Sequence, residues 1–92
     1  MKIIKTDDER YMFYCEGCKR NHAFNNAWQF NDDFDKPTVS PSLKVTMPYK
    51  GVDYICHSFI RNGEIQYLND CHHELAAKVV PLKDEKDWDA DF

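Results

Sequence analysis

The cysteines and histidines of this chain fall into three short clusters, and this distribution constrains its fold more than any other feature. There are four of each among 92 residues. Thiolate and imidazole are the ligands that Zn²⁺ prefers, and a structural zinc binds four of them in a tetrahedron. We therefore predict a domain held together by a single structural zinc. The clusters are Cys15, Cys18 and His22, then Cys56 and His57, then Cys71, His72 and His73.

The length of the chain agrees with a metal-stabilised domain. Ninety-two residues make one domain, and at this size a hydrophobic core alone gives marginal stability. We predict a single zinc-stapled domain over residues 1–82. Residues 83–92 are rich in aspartate and glutamate and are predicted to form an acidic C-terminal tail.

The N-terminus and the overall charge bear on location and partners. The N-terminus contains only two consecutive aliphatic residues, Ile3 and Ile4, and no apolar run approaches 18 residues, so we expect neither a signal peptide nor a transmembrane helix. We expect the protein to be cytoplasmic. In the cytoplasm thiols stay reduced and bind metal in preference to forming disulfides. The net charge of −4 argues against general nucleic-acid binding.

The clearest local structure is a β-hairpin around Asn62 and Gly63, since Asn-Gly favours a tight type I′ turn. That turn places Ile60 opposite Ile65 and brings Cys56 close to the third cluster. Residues 10–15 and 43–47 also have strand patterns. A short helix is predicted from Cys71 to about residue 78. The fold class is therefore mostly β, a small α+β domain resembling a zinc ribbon with one short helix.

The spacing of the clusters assigns three of the four ligands. Cys15 and Cys18 form a Cys-x-x-Cys knuckle that directs both sulfurs at one ion, and the hairpin delivers Cys56. The fourth ligand is Cys71 or His73. His57 points to the opposite strand face from Cys56, so both are not expected to bind one ion. The role of His22 stays open, because it can fold back or lie at the surface.

The residues alone favour a protein that is not an enzyme, and no catalytic residue is assigned. A closed shell of three thiolates and one histidine makes zinc a poor Lewis acid, and no protease or deaminase zinc signature is present. One alternative is a metal-dependent hydrolase or nuclease using His22, His57 and Asp70. Another is a single-stranded nucleic-acid binding module using the exposed faces of the aromatic residues.

The order of motifs resembles a family of small proteins encoded mainly by tailed bacteriophages and prophages. Some members bear the label ammonia monooxygenase, which we regard as a misannotation. The resemblance spans roughly residues 13–82. It rests on six motifs: Cys15-Glu-Gly-Cys18 with His22, Trp28-Gln-Phe30-Asn31, Pro37-Thr38-Val-Ser40-Pro41-Ser42-Leu43, Cys56-His57-Ser58-Phe59, Gly63-Glu-Ile65-Gln66-Tyr-Leu68 and Asp70-Cys71-His72-His73.

The resemblance implies metal binding and a phage origin, with no established activity. Within that family the position of Cys71 can be serine, whereas that of His73 stays histidine, which favours His73 as the fourth ligand. The function we expect on this basis is that of a phage accessory protein. It would bind a host bacterial protein in the host cytoplasm, for instance to inhibit a host defence, without catalysing a reaction.

Overall fold

The computed structural model describes residues 1–6 and 9–88, and within them the chain forms two antiparallel sheets. The predicted mostly β class is confirmed. The first sheet has three strands in the order β1-β2-β3, and the second has five in the order β4-β5-β6-β7-β8. The strands are β1 Ile4–Lys5, β2 Arg10–Cys15, β3 Arg20–Asn25, β4 Gln29–Phe30, β5 Val39–Tyr49, β6 Val52–Arg61, β7 Glu64–Tyr67 and β8 Val79–Pro81.

The three-stranded sheet turns one face toward the interior. Strand β2 buries Phe13 and Cys15, and β3 buries His22 and Phe24, so alternate positions of the hairpin face inward. Phe13 pairs directly with His22 across the two strands. The turn at residues 16–19 joins Cys15 to Arg20, which places the Cys-x-x-Cys knuckle at the turn end of this hairpin.

The hairpin predicted at Asn62 and Gly63 forms β6 and β7 with the predicted register. Arg61 faces Glu64 and Ile60 faces Ile65. Both turn residues have positive φ, at 51° for Asn62 and 81° for Gly63, which is the backbone that a type I′ turn requires.

Strand β5 is irregular where it enters the five-stranded sheet. Its register against β6 shifts between Val39 and Leu43, so residues 40–42 form a bulge that contains the cis Ser40–Pro41 bond. The loop before it is organised by Asn31, whose Oδ1 accepts hydrogen bonds from the N–H groups of Asp33 at 3.2 Å and Thr38 at 3.0 Å. Strand β4 pairs with β5 only at Ser40 and Val39.

The core lies where the inner faces of the two sheets meet. Its members are aliphatic and aromatic side chains from both sheets together with buried thiols, so the cysteine clusters are part of the hydrophobic core. Several of the aromatic rings considered as a possible stacking surface are buried here, as with Phe13 and Tyr67, each 1% exposed, whereas Tyr54 is 41% exposed. The buried set is Ile3, Phe13, Cys15, Phe24, Val39, Leu43, Cys56, Ile60, Ile65, Tyr67, Cys71 and Leu82.

The helix predicted from Cys71 to residue 78 does not form, and this segment is a series of turns. The N–H of His72 donates to the carbonyl of Ile55 at 3.0 Å, so the segment is tied to the side of β6 before a helix can begin. Ala77 then adopts a φ of 65°, which interrupts right-handed helical geometry. Good helix formers are overridden here by tertiary hydrogen bonds.

The end of the described chain contacts its beginning. The Asp84 carboxylate lies 3.3 Å from the terminal ammonium of Met1, and Glu85–Asp87 forms a single 3₁₀ turn. Trp88 donates its Nε1–H to the carbonyl of Lys83 at 3.0 Å. The remainder of the predicted acidic tail, residues 89–92, lies outside the described residues. Within residues 1–6 and 9–88, no helix has the length and apolarity to cross a membrane.

We predict that Gly63→Ala destabilises the fold more than Gly51→Ala. Both glycines have φ near +80°, so alanine incurs a similar backbone penalty of about 1 kcal/mol at each. A Cβ at Gly63 would also lie 3.3 Å from the Asp35 carbonyl oxygen, whereas at Gly51 nothing lies within 4 Å. Urea unfolding should show a loss of about 2 kcal/mol for Gly63→Ala. Equal losses for the two variants would show that crowding at Gly63 is unimportant.

Candidate metal centre and serine cluster

Three thiols that the sequence scatters over 41 positions meet at one point between the sheets. Cys15 ends β2, Cys18 follows in the turn, and Cys56 points inward from β6. The sulfurs of Cys15 and Cys56 are 3.7 Å apart. The N–H of Cys18 donates to the Cys15 sulfur at 3.3 Å, which is the turn geometry that a Cys-x-x-Cys knuckle provides.

His22 supplies a nitrogen to the same cluster. Its ligand atom and the sulfurs of Cys15, Cys18 and Cys56 all lie within 4.8 Å of one another. The ring is 7% exposed, and its Nε2 has no hydrogen-bond partner among the described residues. A buried ring nitrogen without a partner is costly, and three thiols with an imidazole are ligands typical of a zinc site, so the set fits a metal. These four side chains can hold one metal ion, and we call them the metal cluster.

The pKa values of the thiols show how the cluster behaves without a cation. The hydrogen bond from Cys18 lowers the pKa of Cys15, and the one from Cys56 lowers it further. Donation to Cys15 in turn raises the pKa of Cys18 to about 12 and also raises that of Cys56. The three thiols therefore oppose one another's ionisation, since a lower pKa at Cys15 goes with higher pKa values at Cys18 and Cys56. A divalent cation supplies the positive charge that three adjacent thiolates need.

Tyr67 closes the cluster from strand β7. Its hydroxyl lies 3.2 Å from the Cys15 sulfur and accepts a hydrogen bond from the N–H of Gly17 at 3.2 Å. Burial raises the pKa of this hydroxyl, and the nearby charge of Cys15 raises it further, so it stays protonated. Tyr67 therefore donates to the Cys15 sulfur and supports it from behind.

The two candidate fourth ligands from the sequence lie beside the metal cluster. His73 has its Nε2 3.5 Å from the Cys56 sulfur, and its Nδ1 accepts a hydrogen bond from the N–H of Leu75 at 3.2 Å. Together with Cys71 and Cys56 it forms a second group of possible ligands. Its ring covers Gly17 so closely that a Cβ there would overlap it, which explains the glycine in the knuckle.

Cys71 contacts the backbone of strand β6. Its sulfur accepts a hydrogen bond from the N–H of His57 and donates one to the carbonyl of the same residue, both at 3.2 Å. Leu68 donates its N–H to that carbonyl at 2.9 Å. Residues 68–72 therefore continue the sheet along β6 and hold Asp70 beside His57.

The opposite face of β6 carries a second cluster, which the sequence analysis did not assemble. The Oγ of Ser42 is 2.9 Å from Nε2 of His57, and Nδ1 of the same ring is 3.1 Å from Oδ2 of Asp70. The His57 side chain is 23% exposed and that of Asp70 43%, so the cluster opens to solvent. We call these three residues the serine cluster.

The serine cluster depends on two features of the sheet. Lys44 pairs with His57 across β5 and β6, and the bulge before Leu43 positions Ser42 within reach of the imidazole. The indole N–H of Trp28 donates to the Ser42 carbonyl at 3.4 Å and fixes the backbone there. His57 and Asp70 were named from the sequence as possible bases, but Ser42 was missed. The only sequence signal for Ser42 was its position in a Pro-Ser-Leu segment beside a predicted strand.

The arrangement of the serine cluster is that of an activated nucleophile. A hydroxyl, an imidazole and a carboxylate are joined in that order through the two ring nitrogens. Such a relay lets the imidazole take the hydroxyl proton while the carboxylate fixes the ring and stabilises its positive charge.

Comparison with known proteins identifies the family. The family model described as "Bacterial ubiquitination-like system serine protease (BubE)" matches residues 1–68, and the chain belongs to this family. The matched range includes Ser42 and His57, and Asp70 lies two residues beyond it. No curated protein and no solved structure matches the chain.

This membership corrects the function expected from the sequence. We expected a phage accessory protein that acts on a host protein without catalysis, and this expectation was wrong. The matching family belongs to a bacterial ubiquitination-like system, and its description names a serine protease. The resemblance to phage proteins rested on motifs that also contain Ser42, His57 and Asp70. Their order along the chain does not show that these three side chains meet, and only their contacts in space distinguish the Ser42 hydroxyl.

We predict that His22→Ala lowers metal retention more than His73→Ala. The ligand atom of His22 lies within 4.8 Å of all three sulfurs of the metal cluster. His73 instead forms a group with Cys56 and Cys71, and its Nδ1 accepts a hydrogen bond from Leu75. Native mass spectrometry of the purified variants measures the metal directly, with Cys71→Ser as the matched control. Loss of metal only in His73→Ala would place the fourth ligand at His73, as the sequence predicted.

Proposed function

We propose that this member of the bacterial ubiquitination-like system serine protease family is a serine peptidase whose nucleophile is Ser42. The single observation that supports this most strongly is the continuous contact from Ser42 Oγ through His57 to Asp70. The family description names a serine protease, and in the serine cluster one serine meets a general base that is itself oriented by a carboxylate. In this proposal the reaction is acyl transfer to Ser42 followed by hydrolysis.

The first half of the reaction forms an acyl-enzyme. Ser42 Oγ attacks the carbonyl carbon of the scissile peptide bond while its proton moves to Nε2 of His57. Asp70 accepts the Nδ1–H of the ring and stabilises the resulting imidazolium. The tetrahedral intermediate then loses its amine, which takes the proton from Nε2 as the C–N bond breaks.

The second half restores the enzyme with water as the only further reactant. His57 takes a proton from water, the hydroxide adds to the acyl carbon, and the ester bond to Ser42 breaks as the proton returns to Oγ. The products are a carboxylic acid and the amine released earlier. Following the family description, the substrate in this proposal is a protein of a bacterial ubiquitination-like system.

The metal cluster has a structural role in this proposal, and we assign it zinc. Three thiolates and an imidazole are ligands typical of a structural zinc site. Cys56 and His57 are adjacent on β6 and face opposite ways, so an ion held by the metal cluster would lie on the other face of the strand from the reacting groups and would fix the strand that carries the base. Zinc binding by such sites contributes on the order of 10 kcal/mol to folding.

We predict that an alkyl fluorophosphonate labels wild-type protein at Ser42. The activated hydroxyl should displace fluoride from phosphorus, which leaves a stable ester that peptide mass spectrometry locates. Ser42→Ala should abolish labelling. Ser40→Ala removes an exposed hydroxyl of the same strand outside the serine cluster and is the matched control. Labelling of Ser42→Ala equal to that of wild type would refute the proposed nucleophile.

We predict that Asp70→Asn slows labelling by a factor of about 10² or more, since general-base catalysis contributes about 10²- to 10⁴-fold and needs the correct imidazole tautomer. Glu74→Gln, which removes an exposed carboxylate four residues further on, should label at the wild-type rate. The second-order rate constant of labelling at fixed pH is the measurement. A rate equal to wild type in Asp70→Asn would remove Asp70 from the mechanism.

We predict that complete chelation of the metal abolishes labelling together with the fold. The sulfurs of Cys15 and Cys56 are 3.7 Å apart, so without a cation thiolates at these positions would repel each other and weaken the anchor between β2 and β6. Far-ultraviolet circular dichroism and fluorophosphonate labelling should fall in parallel on titration with a chelator and recover with zinc. A folded protein that keeps its labelling rate after complete metal removal is the contrary result.

A further inference from the structure

Strand β5 has an open edge that begins at the serine cluster. Strand β4 covers this edge only at Val39 and Ser40. Beyond the bulge, none of the described strands pairs with β5 on the side away from β6. Backbone groups of the same strand that carries Ser42 therefore face solvent.

The hydrogen bonds of β6 show which backbone groups of β5 point to this edge. The N–H and C=O of His57 bond to Cys71 and Leu68, on the side away from β5. Lys44 lies opposite His57 in the antiparallel pairing of β5 with β6. Because His57 directs its N–H and C=O away from β5, the two residues form a non-hydrogen-bonded pair. The N–H and C=O of Lys44 therefore point away from β6, toward the open edge.

The same reasoning applies two residues further along the strand. The N–H and C=O of Ile55 bond to His72, again on the side away from β5. Thr46 pairs with Ile55, so its N–H and C=O also point to the open edge. Lys44 and Thr46 thus present two donors and two acceptors in a row, and both residues are exposed.

Both ends of this row are closed. At one end the carbonyl of Ser42 already accepts the indole N–H of Trp28. At the other end is Pro48, which lies two residues beyond Thr46 and whose backbone faces the same edge. Proline has no N–H, so it cannot donate a hydrogen bond to an added strand. The open edge therefore accommodates a short segment of about four residues, since a strand rises about 3.4 Å per residue.

We propose that this edge binds the acyl side of the substrate as an added antiparallel strand, an inference that rests on the proposed peptidase function. An antiparallel segment runs from the level of Thr46 toward Ser42, so its C-terminal carbonyl arrives at the nucleophile. A parallel segment would begin at Ser42 and place the leaving side on the edge. Backbone pairing of this kind is a common mode of peptide recognition.

The substrate class that follows is an extended, unstructured tail attached to a folded protein. Pairing needs free backbone N–H and C=O groups over about four residues, and within a folded domain most of these groups are already paired. The serine cluster opens onto the outer face of the sheet, and the His57 side chain is 23% exposed, which leaves the ring accessible to a substrate bound at the neighbouring edge. The cut falls directly after the paired segment.

The alternative to a substrate-binding edge is an edge that is protected against pairing with other chains. Lysine and proline both discourage such pairing and are common on exposed edge strands. The two readings differ in a measurable way. A binding edge makes the reaction at Ser42 sensitive to backbone groups of the substrate at every second residue. A protected edge leaves the reaction indifferent to them.

The test compares two phosphonate probes that carry the same reactive group on peptides of different length. A mixture of acetylated tetrapeptide diphenyl phosphonates with randomised side chains is compared with acetylated single-residue diphenyl phosphonates on the zinc-loaded full chain. We expect the tetrapeptide probes to inactivate faster. Thr46→Pro, which removes one edge donor, should lower the tetrapeptide to single-residue rate ratio by about three- to tenfold, the value of one hydrogen bond. Thr46→Val keeps the N–H and should keep the ratio.

A scan of the peptide backbone provides a test that leaves the protein unchanged. N-methylation of single amides in the tetrapeptide probe should slow inactivation at alternate positions only, because every second N–H faces β5. Equal rates for the two probe lengths, an unchanged ratio in Thr46→Pro or an N-methyl effect without alternation would each overturn the added strand. Failure of the alkyl fluorophosphonate to label Ser42 would instead overturn the peptidase proposal itself.

Discussion

Strand β6 carries Cys56 into the core and His57 to the outer face, and the rest of the structure depends on this alternation. Successive side chains of a strand point to opposite faces, so two adjacent residues serve two separate clusters. Inside, Cys56 meets the knuckle of the three-stranded sheet and joins the two sheets. Outside, His57 meets Ser42 from β5. A strand anchored from behind through the metal cluster is a rigid support for His57, whose proposed role as a base requires hydrogen bonds kept within a few tenths of an ångström.

Residues 68–73 connect the two clusters along the edge of β6. Asp70 orients the His57 ring, the Cys71 thiol bonds both backbone groups of His57, and His73 contacts the sulfur of Cys56. One short segment of turns thus touches the base, its backbone and a member of the metal cluster. The N–H of His72 donates to the carbonyl of Ile55, so the turns that replace the predicted helix hold this segment against β6.

The differences between expectation and structure have identifiable physical causes. The hairpin at Asn62 and Gly63 was predicted with its register because the turn is local and its dihedral angles are encoded by two residues. The helix after Asp70 was wrong because propensity is worth only tenths of a kcal/mol per residue, less than the hydrogen bonds to β6. Ser42 was missed because its distance from His57 is set by a bulge in the pairing of β5 with β6. The fourth metal ligand stays a prediction, and the structure adds His22 to the residues that compete for it.

The sequence by itself determined the mostly β class, the type I′ hairpin and the convergence of Cys15, Cys18 and Cys56. These follow from local periodicity, turn chemistry and the affinity of thiols for a common ion, all of which are readable from spacing. Only the tertiary structure decided which serine among several meets an imidazole and which strand edge is left open beside it. Those features depend on the register between strands, where a shift of a single residue would turn His57 inward and Cys56 outward.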